Sequence, residues 1–170
     1  MSAPLLTIPV GVVVERSKAM SQWADYIWRP ILVLAGQPDT AVWTKLSDSG
    51  DRATFYAGPA MVGLYPSETS NYRDNLVSGA PSLWVVLRET GAEPPYSVFL
   101  VTADPSEGEG MTAAGNDLVD SVPMPDSVRE QVAAFVAEHH VEREFFKRKR
   151  DRANPESLGR RNAAPARDDE

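Results

Sequence analysis

The chain is poor in side chains that could do chemistry. His139 and His140 are the only imidazoles among 170 residues, and cysteine is absent. Without thiols there can be no disulfide, no thiolate nucleophile, no iron–sulfur ligation by the protein and no cysteine zinc motif. A Ser-His-Asp hydrolase would have to recruit one of the two histidines, and the Gly-x-Ser-x-Gly elbow is missing. As a metal pair the histidines fail on geometry. Adjacent helix positions diverge by about 100°, so both rings cannot reach one ion, and Glu142 would still leave the set short of ligands. His139 falls on an apolar stripe and reads as a core or boundary residue. No catalytic or metal-ligating residue is assigned, and the expectation is a non-enzyme without a cofactor.

Nucleotide motifs fail as well. "GEGMTAAG" spaces Gly108, Gly110 and Gly115 too widely for a dinucleotide fingerprint, and no Lys-Ser/Thr follows as in a phosphate loop. "LVLAGQPD" at 32–39 opens like the glycine loop of molybdenum-cofactor guanylyltransferases. Gln37 and Pro38 interrupt it, however: Pro38 has no N–H to offer a phosphate, and the first downstream lysine is Lys45. Trp23, Trp28, Trp43 and Trp84 read as core residues or cross-strand pairs. Tyr72, Arg73 and Asn75 could line a polar pocket, although their spacing does not require one.

The unusual stretch is "HHVEREFFKRKRDR", residues 139–152. Residues 1–140 carry seventeen acidic and eight basic side chains, whereas 141–170 carry seven and nine. An acidic body repels phosphate backbones at long range, which argues against nucleic acid as the partner. Two readings of the basic run lead, with RNA, DNA or an anionic membrane surface as the remaining one. It can be a solvated helix end whose cations face the negative pole of the macrodipole. Or it can dock on a protein, Val141 and Phe145 supplying apolar area while Lys147, Arg148, Lys149 and Arg150 steer toward an acidic partner.

The positioning elements follow from periodicity. Residues 5–15, "LLTIPVGVVVE", and "YIWRPILVLAG" read as strands whose Pro9 and Pro30 demand an edge or a bulge. "AVWTKLSDSGDRATFYAG" reads as a hairpin, strands 42–46 and 52–57 around a turn with Gly50, and "AMVGLY" as one more strand. A short helix before Gly79, with Ser67 as its cap, precedes the strands "SLWVVLRE" and "YSVFLVTA". Residues 104–116 read as an exposed loop and "DLVDSVPMP" as a linker. Ser127 and Glu130 have capping-box spacing, and nothing breaks the following helix before Asn154-Pro155. Val128, Val132, Phe135, Val136, His139 and Phe146 share one face of it, with Val141, Phe145 and Arg148 opposite.

The expected fold is α+β: an antiparallel sheet or small half-barrel over 1–125, a long C-terminal helix over 126–153 packed on it, and a disordered tail over 154–170. No apolar run reaches the roughly 18 to 20 residues that span a bilayer, and the N-terminal segment lacks the basic start of a secretory signal. The expected location is therefore cytoplasmic.

"WRP" at 28–30, "YRDNL" at 72–76, "PSLWVVLR" at 81–88 and "VEREFFKRKRDR" at 141–152 together resemble a bacterial family known as domain of unknown function 3305. Members tend to be encoded beside molybdenum- or tungsten-dependent formate dehydrogenases, so the resemblance implies an accessory or assembly role around that enzyme. The partner it implies is a formate dehydrogenase subunit or maturation factor. It supplies no active-site residues. The alternatives are a guanylyltransferase-type enzyme or carrier for the molybdenum cofactor, and a small structural subunit of the dehydrogenase complex.

Overall fold

A computed structural model describes residues 2–20, 22–23, 25–113 and 115–141. The chain divides at His140, and the first of its two units is compact. The first contains, in chain order, β1 (Leu6–Lys18), β2 (Tyr26–Ala35), β3 (Thr44–Asp48), β4 (Arg52–Leu64), α1 (Thr69–Val77), β5 (Ser82–Glu89), β6 (Tyr96–Thr102), α2 (Pro105–Met111), β7 (Leu118–Pro123) and α3 (Asp126–His139). Short connections pair neighbours antiparallel, in two sheets instead of one: β2-β1-β4-β3 and β6-β5-β7. β4 approaches β6 and β2 approaches β7, so the sheets face each other.

The core between them comes from alternation. Ile8, Val10, Val12 and Val14 of β1 point inward, opposite Leu83, Val85 and Leu87 of β5, and all are buried. Each contributes about 1.5–3 kcal/mol by leaving water. Trp84 lies on the other face of the second sheet, where α2 covers it. At one end α1 and α3 pack together, Tyr72 against Phe135 at 6.3 Å, and Val128 and Val132 join the core.

Several expectations need correction. β1 is a central strand, not an edge. Pro9 is tolerated because it stands where the β2 ladder ends, its carbonyl accepting from the Gly36 amide. Pro30 does lie on an edge strand, beside the bulge at Val13/Val14. "AMVGLY" is not a separate strand but the continuation of β4 through a register shift opposite Val12/Val13. Residues 104–116 are not a loop throughout: Asp104 caps α2, its Oδ1 accepting from the Ser106 and Glu107 amides. The "linker" contains β7, paired to β5 from Ser82–Pro123 to Leu87–Leu118. Ser67 does not cap α1; Glu68 stands at that position, and its side chain makes no capping bond to the helix backbone.

The C-terminal helix is shorter than expected. α3 has 14 residues, begins after Pro125 without a side-chain cap, and ends at His139, so the Ser127–Glu130 box does not form. His140 is extended, with its Nδ1 3.1 Å from the Thr69 hydroxyl and its Nε2 3.4 Å from Arg73, both on α1. That anchor turns the chain where the sequence offers no breaker. The buried stripe is as expected through Val128, Val132 and Phe135.

Gly108 of α2 has no room for a side chain, since a Cβ there would meet Trp84 Cγ at 2.2 Å, whereas one at Gly110 meets nothing within 4 Å. Gly108→Ala should therefore destabilise the fold by about 1–3 kcal/mol or more. Gly110→Ala should stabilise it by up to about 1 kcal/mol through helix propensity. Urea denaturation of the two variants checks the opposite signs.

Candidate functional site

Of the residues expected to dock, Val141 follows the end of α3 and is 77% exposed. It is not part of a helix that continues from α3, so its placement opposite the buried stripe does not hold. Phe145, Lys147, Arg148, Lys149 and Arg150 lie outside the described residues. His139 stacks on Phe135 at 4.5 Å and is a boundary residue, while His140 ties α3 to α1.

The polar residues buried beneath α1 are used in holding backbone. Asn75 is 3% exposed; its amide donates to the Ser82 and Ala103 carbonyls at 2.7 and 2.9 Å, and its oxygen accepts from the Ser82 amide at 3.0 Å. One side chain thereby joins α1, the start of β5 and the end of β6. The Tyr65 amide donates to the Tyr72 hydroxyl at 3.0 Å, and burial pushes the Tyr72 phenol up to about 12. Asn71 donates to Glu68 and to Asp104, both at 3.2 Å. Among the described residues no buried side-chain nitrogen or oxygen lacks a partner, and no three His, Asp or Glu side chains converge as metal ligands. Tyr72 and Asn75 thus build structure, and do not line the polar pocket considered for them.

A shallow cleft of about 140 Å³ lies between Met61, Gly63 and Tyr65 on one side and Leu100, Thr102 and Glu107 on the other. It is smaller than the few hundred Å³ usual for ligand sites, and the Glu107 carboxylate already accepts from the Thr102 hydroxyl at 2.9 Å.

The strongest candidate is the end of the first sheet away from the helices. Trp28 stands 5.8 Å from Trp43, 5.8 Å from Phe55 and 6.3 Å from Tyr96 of the other sheet. Trp43 holds this position at φ 67°, an unusual conformation for a bulky residue and the kind of strain that persists where packing imposes it. The pairs Ser17–Ile27 and Lys18–Tyr26 lie one and two steps past Trp28 along the hairpin, so β1 and β2 run beyond the contact with Tyr96. Around that end Met20, Trp23, Tyr26, Ile27 and Leu46 are all exposed.

Arg16 continues the inward row of β1 directly after Val14. Its guanidinium lies 4.4 Å from the Tyr26 ring, 5.2 Å from Phe55 and 5.8 Å from Trp28. Five of the eight basic residues of 1–140 sit at this end: Arg16, Lys18, Arg29, Lys45 and Arg52. Lys18 faces Asp51 at 3.8 Å, Arg29 faces Glu15 at 3.3 Å and Lys45 faces Asp48 at 2.8 Å. Lys45 holds the Asp48 carboxyl below its usual range. Sequence reasoning took Trp28 and Trp43 for packing residues, which they are in part. It missed Arg16, although a charge at the end of an alternating apolar strand was there to be noticed.

Two consequences are measurable. Asn75→Ala leaves the Ser82 amide and the Ala103 carbonyl without partners and should cost about 2–5 kcal/mol in urea denaturation. Tyr72 has a folded-state pKa raised above its unfolded value near 10, so its contribution is intact below that value and is lost as pH rises through about 12. The fall in stability over that alkaline window should be shallower in Tyr72→Phe than in the parent chain.

Comparison with curated proteins and with solved structures returned no match. The family described as "protein of unknown function (DUF3305)" matches residues 9–150, most of the chain and all of the core elements from Pro9 onward. The chain belongs to that family.

Proposed function

We propose that this protein is a non-enzymatic accessory protein that docks on a protein partner, using the free end of the first sheet as a contact surface. The observation that carries the reading is the exposure of Met20, Trp23, Tyr26, Ile27 and Leu46 around one end of the first sheet, Tyr26 on the Arg16 face and Ile27 on the opposite one, where five of the unit's eight basic residues stand among four acidic ones. Trp, Tyr and Arg dominate the energetics of protein interfaces, and exposed large apolar side chains gathered at one end of a fold suit a contact site. The buried polar groups, in contrast, are engaged in packing and backbone contacts, which favours binding over catalysis.

Val141 and Phe145 with Lys147, Arg148, Lys149 and Arg150 form a second contact segment in this reading, steering toward an acidic partner. The resemblance noted from the sequence makes a formate dehydrogenase subunit or maturation factor the first partner to test, in the cytoplasm. A molybdenum-cofactor enzyme or carrier would instead bind GTP and Mg²⁺ saturably in calorimetry, where the docking reading expects no heat. A structural subunit would stay with mature dehydrogenase at fixed stoichiometry, whereas an assembly factor leaves.

Affinity purification from native cells tests the proposal. A Met20→Ser/Ile27→Ser double variant, Phe145→Ala, and charge reversal at Lys147, Arg148, Lys149 and Arg150 should each reduce capture of the partner by about tenfold or more. Unchanged capture by all three removes the docking role.

A further inference from the structure

Among the described residues Arg16 and Arg88 each lie against aromatic rings, and they differ in one respect. Arg88 lies 3.4 Å from the Phe99 ring centroid, and its fork is filled by Asp117, with Nε and Nη2 donating to the two carboxylate oxygens at 3.2 and 3.0 Å. Arg16 is stacked likewise, among Tyr26, Phe55 and Trp28, yet makes no hydrogen bond and no ion pair among the described residues. A guanidinium packed against aromatic rings has less rotamer freedom left to lose when a carboxylate docks on it. Arg88 and Asp117 show what such a guanidinium accepts.

We propose that Arg16 is a receiving site for one carboxylate of a protein partner, an Asp or Glu side chain flanked by apolar residues that pack against Tyr26 and Trp28. The inference rests on the docking reading above and names the chemistry of its contact. Charge decides against a polyanion. Of the five basic residues at this end, Lys18, Arg29 and Lys45 are already paired, and Arg52 lies on the opposite face of the sheet because it pairs with Ser17. Among the described residues the inner face therefore offers one guanidinium with no carboxylate at ion-pair distance, although Asp48, held by Lys45, feels its charge; that is enough for one further carboxylate. A nucleic-acid strand or an anionic membrane draws its affinity from several unpaired cations. Outside this end, which also holds Glu15, Asp25, Asp48 and Asp51, residues 1–140 carry three basic residues against thirteen acidic ones, which further disfavours a dense anionic surface.

The test uses the ¹⁵N-labelled full chain and two peptides, one with a single glutamate between two leucines and its glutamine counterpart. The glutamate peptide should shift the Arg16 Nε–H and Trp28 indole signals saturably and bind about tenfold more tightly than the glutamine peptide, a preference that weakens with salt. Arg16→Gln should abolish the preference. Arg16→Lys should retain only part of it, because an ammonium cannot present the planar fork. Equal affinity for both peptides, no shift at Arg16, or tighter binding of poly(U) or of phosphatidylserine vesicles would each overturn the assignment. Should Arg16→Gln fail to fold, the peptide pair on the parent chain still decides. If Met20→Ser/Ile27→Ser loses the partner while the two peptides bind alike, docking stands and the carboxylate site falls. If the peptide preference holds while partner capture is indifferent to those substitutions, the site stands and docking at this end falls.

Discussion

The register of β1 is the constraint on which the rest depends. Its inward side chains run Ile8, Val10, Val12, Val14, and the next in the row is Arg16. Side chains alternate with a period of two, so a slip of one residue would expose the valines and bury Glu15, at a cost no other contact could offset. The same register that secures the core also delivers a guanidinium to its rim. Both bulges opposite this strand, at Val12/Val13 toward β4 and Val13/Val14 toward β2, place the extra residue on the partner. β1 itself stays in phase from Ile8 to Arg16.

The two ends of the sandwich are closed by different means. At one, α1 and α3 cover the core, and buried polar atoms are consumed in backbone contacts: Asn75 binds β5 and β6 residues, Tyr72 receives the Tyr65 amide, and Asp104 caps α2. Such a network rigidifies because each member is satisfied. At the other end the closure is aromatic, Trp28 meeting Trp43, Phe55 and Tyr96, and beyond it the hairpin leaves apolar side chains in water. On the docking proposal, that exposed apolar area is the contact surface.

Much of the architecture was legible in the residues because it rests on local pattern. The paired strands "SLWVVLRE" and "YSVFLVTA", the hairpin turning at Gly50 with φ 90°, and the stripe Val128–Val132–Phe135 each follow from periodicity or from one residue's conformational freedom. Residues 104–116 misled because their glycines suggested a loop, although Asp104, Pro105 and Glu107 carry the start signal of a helix. Gly108 is there because Trp84 occupies the space a side chain would need. β7 was hidden by two prolines and weak alternation; its strand character comes from the exposed edge of β5 that it completes.

By itself the sequence determined which segments are extended, that the sheets are antiparallel, that chemistry requiring thiols is closed to this chain, and where charge accumulates. These depend on residue type and on short-range spacing. Only the tertiary structure decided that there are two sheets, that β1 is central despite Pro9, that α3 stops where His140 meets Thr69, and that Arg16 finds three aromatic rings. Each of those outcomes depends on groups distant in the chain meeting across the core. Local pattern says which face a side chain takes, but not what stands opposite it.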